Sequence, residues 1–146
     1  MEISTHTLEQ TKQFAAEVVG RLAPGDKGAM ILALHGDLGA GKTAFAQGVA
    51  AALGVTELVA SPTFVIEKIY DLPASAAFRR LTHIDAYRLA GGDDLAKLGF
   101  ADICADPANL IVLEWPERVA DILPEGVIPI HFTFMSEAVR KINYGS

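Results

Sequence analysis

The run Gly36-Asp37-Leu38-Gly39-Ala40-Gly41-Lys42-Thr43 carries the densest chemistry in the sequence, a Gly-x-x-x-x-Gly-Lys-Thr loop. Its glycines let a backbone reach positive φ and bring bare amides up to phosphate oxygens. Lys42 supplies an ammonium for β and γ phosphates, and the Thr43 hydroxyl is a ligand for Mg²⁺. The bare pattern arises by chance in roughly one chain in a few hundred of this length. Its flanks therefore decide whether it binds nucleotide.

Those flanks fit. Ala29 to Leu34 is an unbroken apolar run that reads as a buried strand, and the residues after Thr43 repeat at helical spacing. Phe45, Val49, Ala52 and Leu53 fall on one helix face, and Gly54 stands where a helix C-terminus favours glycine. A strand feeding the loop and a helix leaving it is the context in which the loop cradles phosphate at a helix N-terminus.

Further groups could complete such a site. The apolar run Leu110 to Leu113 ends in Glu114, where proteins with this loop keep an acid for Mg²⁺, usually the shorter Asp. Asp85 ends a strand-like run over 78–85, a position equally suited to a functional carboxylate or an ordinary helix cap. Ser61-Pro62-Thr63 supplies hydroxyls after the first helix, where a γ-phosphate-sensing segment or a plain solvent loop would both fit.

The elements that must position these groups are legible around them. Residues 7–22 read as an amphipathic helix capped by Thr7, with Gln10 at the reciprocal position and Leu8, Thr11, Ala15, Val18 and Leu22 on one side. That helix packs on the sheet, and Thr11 has a lesser chance of touching the nucleotide base. Residues 64–70 and 78–85 read as a hairpin around Pro73. Gly91 to Asp94 starts one short helix carrying Leu95, Leu98 and Ile103, with the two aspartates as caps and Cys104 as a small buried residue. Residues 127–134 alternate like an antiparallel or edge strand, Pro129 arguing for the edge, and 140–144 add a final strand.

The expected architecture is one α/β domain over 1–146, three layers deep. Its mixed, largely parallel central sheet has antiparallel edge strands.

Composition narrows the function. Twelve basic against 18 acidic residues give a net charge of −6. A protein that grips nucleic acid alone needs a basic face, so any RNA role is expected to run through a partner. The single cysteine allows no internal disulfide and points to a reducing cytoplasm. No signal-peptide pattern or membrane-length apolar run occurs, and His6, His35, His83 and His131 lack zinc-ligand spacing.

Four segments together, HGDLGAGKT (35–43), SPTF (61–64), HIDAYRL (83–89) and LEWPERV (113–119), make the chain similar to the TsaE (YjeE) family. Each of the last three is weak alone; their order and spacing are specific. The resemblance implies a small P-loop ATPase of bacterial tRNA threonylcarbamoyladenosine synthesis, using ATP and Mg²⁺ and working with TsaD and TsaB. In that system TsaD, with TsaB, transfers the threonylcarbamoyl group to the adenosine 3′ of the anticodon. The ATPase supports turnover and meets tRNA only through the complex.

The nucleotide contacts so implied run from Asp37 through Leu38, Gly39, Ala40, Gly41, Lys42 and Thr43 to Ala44, joined by Thr11, Ser61, Thr63 and Arg140. Thr43 and Glu114 would hold the metal, and Asp85 with Lys42 would serve catalysis. Trp115 stands in the family's Glu-Trp motif and reads as core or as a partner surface. Phe64 replaces a frequent tyrosine, and a short C-terminal tail weakens the case for Arg140. A positively charged finger is not evident, although Arg88 is a candidate. Rival readings are a nucleotide-dependent binding module, a small-molecule kinase for which the chain has little room, and a GTPase, disfavoured by the lack of an Asn-Lys-x-Asp signature.

Overall fold

A computed structural model describes residues 1–37, 40–56 and 67–145. The strand and the helix on either side of the loop at Lys42 are local, and they form as expected. β2 (Met30–His35) is buried along its length, and α2 (Lys42–Ala52) follows it with Gly54 at φ +89° just beyond its end. β2 lies at the centre of a seven-stranded sheet ordered β1-β7-β6-β2-β5-β4-β3. The other strands are β1 (Glu2–Thr5), β3 (Glu67–Asp71), β4 (Arg80–Asp85), β5 (Asn109–Glu114), β6 (Ile128–Phe134) and β7 (Arg140–Tyr144).

β6, β2, β5 and β4 run parallel, while β3, β7 and β1 pair antiparallel toward the edges. This is the mixed α/β sheet the sequence implies. The hairpin is also present, as β3 against β4, although residues 64–66 of its first run lie outside the described residues.

The period-2 alternation of the parallel strands divides two cores. Leu32, Leu34, Leu110, Val112 and Ile130 face α1 (Leu8–Gly20) and α2, where Phe14, Val18, Phe45 and Val49 cover them. Ile31, Ile84, Ile111 and Leu113 face the opposite layer. That layer is built from α3 (Gly92–Ala96), α4 (Phe100–Ala105) and 3-10 turns over Pro116–Ile122. Phe45 anchors the first core, 5.4 Å edge-on to Phe132 and 6.2 Å from Phe14 between ring centroids. α1 and α2 cross closely at Gly48, where a Cβ would stand 2.7 Å from the Lys12 Cα.

Several expectations need correction. β6 is not an edge strand: β2 pairs with it on one side and β7 on the other. Proline is tolerated there because the Pro129 carbonyl accepts from Gly145 N at 2.8 Å, toward β7, where that ladder ends. The missing N–H therefore forfeits only a terminal bond.

β1 had no counterpart in the sequence reading, since its pairing partner lies at the other end of the chain. The short helix after Gly91 is two helices, separated at Gly99, φ +82°. Leu98 is exposed beside that break. Along α2 and its C-cap, Phe45, Val49 and Leu53 are buried as expected, but Ala52 is exposed and the buried face widens toward Ala46, Gly48 and Ala50 instead. Leu8 is 66 % exposed, and Phe14, not expected on the buried side, joins Thr11, Ala15 and Val18 there.

Candidate functional site

The cleft opens at the carboxyl ends of the parallel strands, where open α/β sheets bind their ligands. Its volume is about 560 Å³. One wall is the start of α2, with Gly41, Lys42, Thr43 and Ala44; opposite stand Asp85, Glu114 and Trp115. Thr5 to Leu8 and Thr11 close one end, and Glu137 and Ala138 of the β6–β7 connection border the cleft with Arg140 at the start of β7.

Each wall follows from local sequence. Gly41 caps α2 at φ +106°, a left-handed angle that side chains resist. Gly36 leaves β2 at φ +152°, and a Cβ there would come within 2.7 Å of the Phe132 carbonyl oxygen. Lys42 Nζ donates to the Gly36 carbonyl at 2.5 Å and lies 3.7 Å from the centre of the Trp115 ring. Burial lowers the Lys42 pKa, against the opposing pull of Glu114, Glu117, Asp85 and Asp37.

Asp85 and Glu114 are the last residues of β4 and β5 and sit opposite each other in the parallel register. Asp85 Oδ1 also accepts the Tyr87 amide at 3.0 Å, closing a turn and not capping a helix, since the next helix starts at Gly92; Asp85 also lines the cleft. Beneath them His83 Nε2 lies 2.7 Å from Glu114 Oε2, both side chains buried. His83 was given no role by sequence reasoning. The available signal was its place two residues before Asp85, on the same strand face.

Trp115 adopts φ 58°, ψ 50°, the one non-glycine residue with positive φ among those described. A bulky residue so placed, and before a proline, costs roughly 1–3 kcal/mol. The turn carries the indole over Lys42 and 5.0 Å from the Tyr87 ring, which Arg118 flanks at 5.5 Å. Trp115 is thus a half-buried part of the cleft wall.

Thr7 caps α1 as expected, its hydroxyl accepting Gln10 N at 3.0 Å, while Gln10 reaches back to His6 N at 2.7 Å. Thr11 is buried with its hydroxyl 2.8 Å from that of Thr5. Arg140 Nη1 donates to the Ser136 carbonyl at 2.5 Å, and its guanidinium lies 4.5 Å from the Phe134 ring. Asp37 and Ala40 belong to the described loop, joined by the Ala40 amide donating to the Asp37 carbonyl at 3.1 Å. Leu38, Gly39, Ser61 and Thr63 lie outside the described residues.

Thr43 and Glu114 offer the hydroxyl and carboxylate oxygens that Mg²⁺ prefers. Among the described residues no three His, Cys, Asp or Glu are arranged to hold a metal. The pair suits an ion that keeps several waters and shares phosphate oxygens, and so fits Mg²⁺.

Comparison with known proteins then decides the family. The family model described as "Threonylcarbamoyl adenosine biosynthesis protein TsaE" matches residues 5–142. The chain belongs to the TsaE family. It is 39 % identical over 127 residues to the tRNA threonylcarbamoyladenosine biosynthesis protein TsaE of Treponema pallidum, covering 86 % of each chain. The protein of the same name from Bacillus subtilis is 35 % identical over 139 residues, covering 93 % of this chain and 79 % of the relative. The crystal structure of Bacillus subtilis YdiB superposes with a TM-score of 0.75 at 28 % identity, over 99 % of this chain and 83 % of that one.

Family membership ties the chain to tRNA threonylcarbamoyladenosine biosynthesis, and P-loop nucleotide binding is consistent with that family. No helix among the described residues is long and apolar enough to cross a membrane.

Proposed function

We propose that this protein is a Mg²⁺-dependent ATPase whose slow hydrolysis of ATP supports the threonylcarbamoylation of tRNA carried out by TsaD with TsaB. One observation carries the reading. The amino end of α2, with Lys42 and Thr43, faces two strand-terminal carboxylates, Asp85 and Glu114, across a single cleft. Phosphates favour the first wall, and a metal or water favours the second.

The triphosphate lies along the loop from Asp37 to Ala44, with Lys42 and the amides drawing charge from the β and γ oxygens. Thr43 and Glu114 would hold Mg²⁺, which would supply positive charge to offset that of the phosphate oxygens. Water attacks the γ-phosphorus in line. Its oxygen bonds to phosphorus as the bond to the β–γ bridging oxygen breaks, leaving ADP and phosphate, and its proton passes to or is oriented by Asp85. Thr11, Ser61, Thr63 and Arg140 complete the nucleotide contacts.

P-loop hydrolases without an arginine finger turn over slowly until a partner supplies one, a gap of about 10³–10⁵ in rate. Phosphate release is therefore feeble alone and faster with TsaB and TsaD added. Equal rates with and without them would refute the reading. The net charge of −6 keeps tRNA contact indirect, and the cytoplasm is the working compartment.

A second reading is a nucleotide-dependent binding module that regulates assembly of the TsaB–TsaD complex, with hydrolysis incidental. The Asp85 bond to the Tyr87 amide favours it, since that carboxylate then has a structural task. Asp85→Asn separates the two. If tRNA modification survives loss of hydrolysis, the binding module is correct.

A further inference from the structure

His83 is 1 % exposed and Glu114 3 % exposed, and their 2.7 Å contact joins two adjacent parallel strands. The register sets His83 opposite Val112 and Asp85 opposite Glu114. The imidazole therefore reaches diagonally toward the carboxyl edge to meet the glutamate. His83 does not itself line the cleft, whereas Glu114 does. Its Nδ1 is buried with no hydrogen-bond partner among the described residues. A proton on Nδ1 would be an unsatisfied buried donor, so the ring proton belongs on Nε2, which donates to Glu114.

We propose that His83 is the positioning residue for Glu114: its Nε2–H holds the carboxylate in the rotamer that ligates the metal. The inference rests on reading Glu114 as a Mg²⁺ ligand. A glutamate has one more rotatable bond than the aspartate more usual at this place, so its oxygens sweep a wider arc. A hydrogen bond from behind removes that freedom, and such outer partners of metal ligands are worth about 10–100-fold in metal affinity.

Mn²⁺ serves as the probe, titrated by electron paramagnetic resonance in the presence of a non-hydrolysable ATP analogue. Glu114→Ala is titrated first; unchanged Mn²⁺ affinity there would overturn the ligand assignment and the positioning role with it. Given a loss in that variant, His83→Ala should weaken Mn²⁺ by about 10–100-fold. Affinity for the analogue in EDTA should stay within about two-fold, because among the described residues the imidazole's hydrogen bond goes to the metal ligand and the ring does not line the cleft.

His83→Gln can donate its amide from nearly the Nε2 position and should recover most of the affinity. His83→Asn is too short and should not. The Gln and Asn pair keeps the test decisive if the alanine variant fails to fold. Unchanged Mn²⁺ affinity in His83→Asn, or equal losses in Gln and Asn, would overturn the proposal. So would a further Mn²⁺ loss on adding His83→Asn to Glu114→Ala.

Discussion

The Lys42 ammonium lies 3.7 Å from the centre of the Trp115 indole while donating to the Gly36 carbonyl. The lysine of the loop and the strained residue that follows β5 thus share one contact. Glycine and lysine come from one loop and tryptophan from the end of β5, two segments that meet only in the folded sheet.

Lys42→Ala should remove most nucleotide affinity. A charge-assisted hydrogen bond is worth about 1.5–3 kcal/mol, roughly 10–150-fold in Kd. Hydrolysis should become undetectable while the fold survives, since Lys42 supports only the Gly36 carbonyl and the Trp115 ring among the contacts described. Calorimetric titration with ATP and circular dichroism check both. Normal affinity would overturn the assignment.

At Trp115 a comparison of two substitutions reads out the strain. Trp115→Ala loses the contacts with Lys42 and Tyr87 yet keeps a side chain at φ 58°. Trp115→Gly loses the same contacts but tolerates that angle. Both should melt below the parent, with glycine above alanine although glycine loses more chain entropy on folding. Scanning calorimetry decides, and alanine melting higher would argue against strain.

Gly48→Val tests the crossing of the first two helices. Ala15 Cβ and the Lys12 backbone would lie within 2.9 Å of an added Cβ. Replacing a mid-helix glycine by valine gains about 0.3 kcal/mol of propensity, but overpacking costs about 1–3 kcal/mol and valine adds bulk beyond Cβ. The net effect should be a Tm lower by roughly 2–4 °C per kcal/mol. An unchanged or higher Tm would mean that the helices move apart freely.

His35 predicts a pH dependence. Burial, then the stacked His131 ring 4.5 Å away, lowers its pKa from 6.5, while Glu117 at 3.4 Å opposes the shift. Between the lowered folded value and 6.5 the unfolded chain binds more protons, so this contribution to stability rises as pH rises through that window and is lost as pH falls. Below the window the loss is constant. His35→Gln lacks the titration, so the Tm of the parent minus that of the variant should be smaller near about pH 5 than near about pH 7.5. A constant difference would contradict the shift.

Much of the site was legible because its signals are local. The strand–loop–helix around Lys42 needs only neighbouring residues, and the Thr7 cap of α1 spans three residues. Burial was less legible. Leu8 and Leu98 sit on helix faces by spacing, but whether a face meets the sheet depends on where the helix lies, and both are exposed. Pro129 misled for a related reason. Its missing donor matters only if that side of the strand carries a full ladder, and the ladder to β7 ends there.

By itself the sequence determined the α/β class, the strand and helix that flank the Gly-x-x-x-x-Gly-Lys-Thr loop, and the acids at the strand ends, since these follow from residue types and short-range periodicity. Only the tertiary structure decided that β4 and β5 are neighbours in parallel register. That pairing sets Asp85 beside Glu114 and lets His83 grip the glutamate from below. Strand pairing is nonlocal: residues far apart in the chain become adjacent only when the parallel strands bury both faces of the sheet, an arrangement no single stretch of sequence encodes.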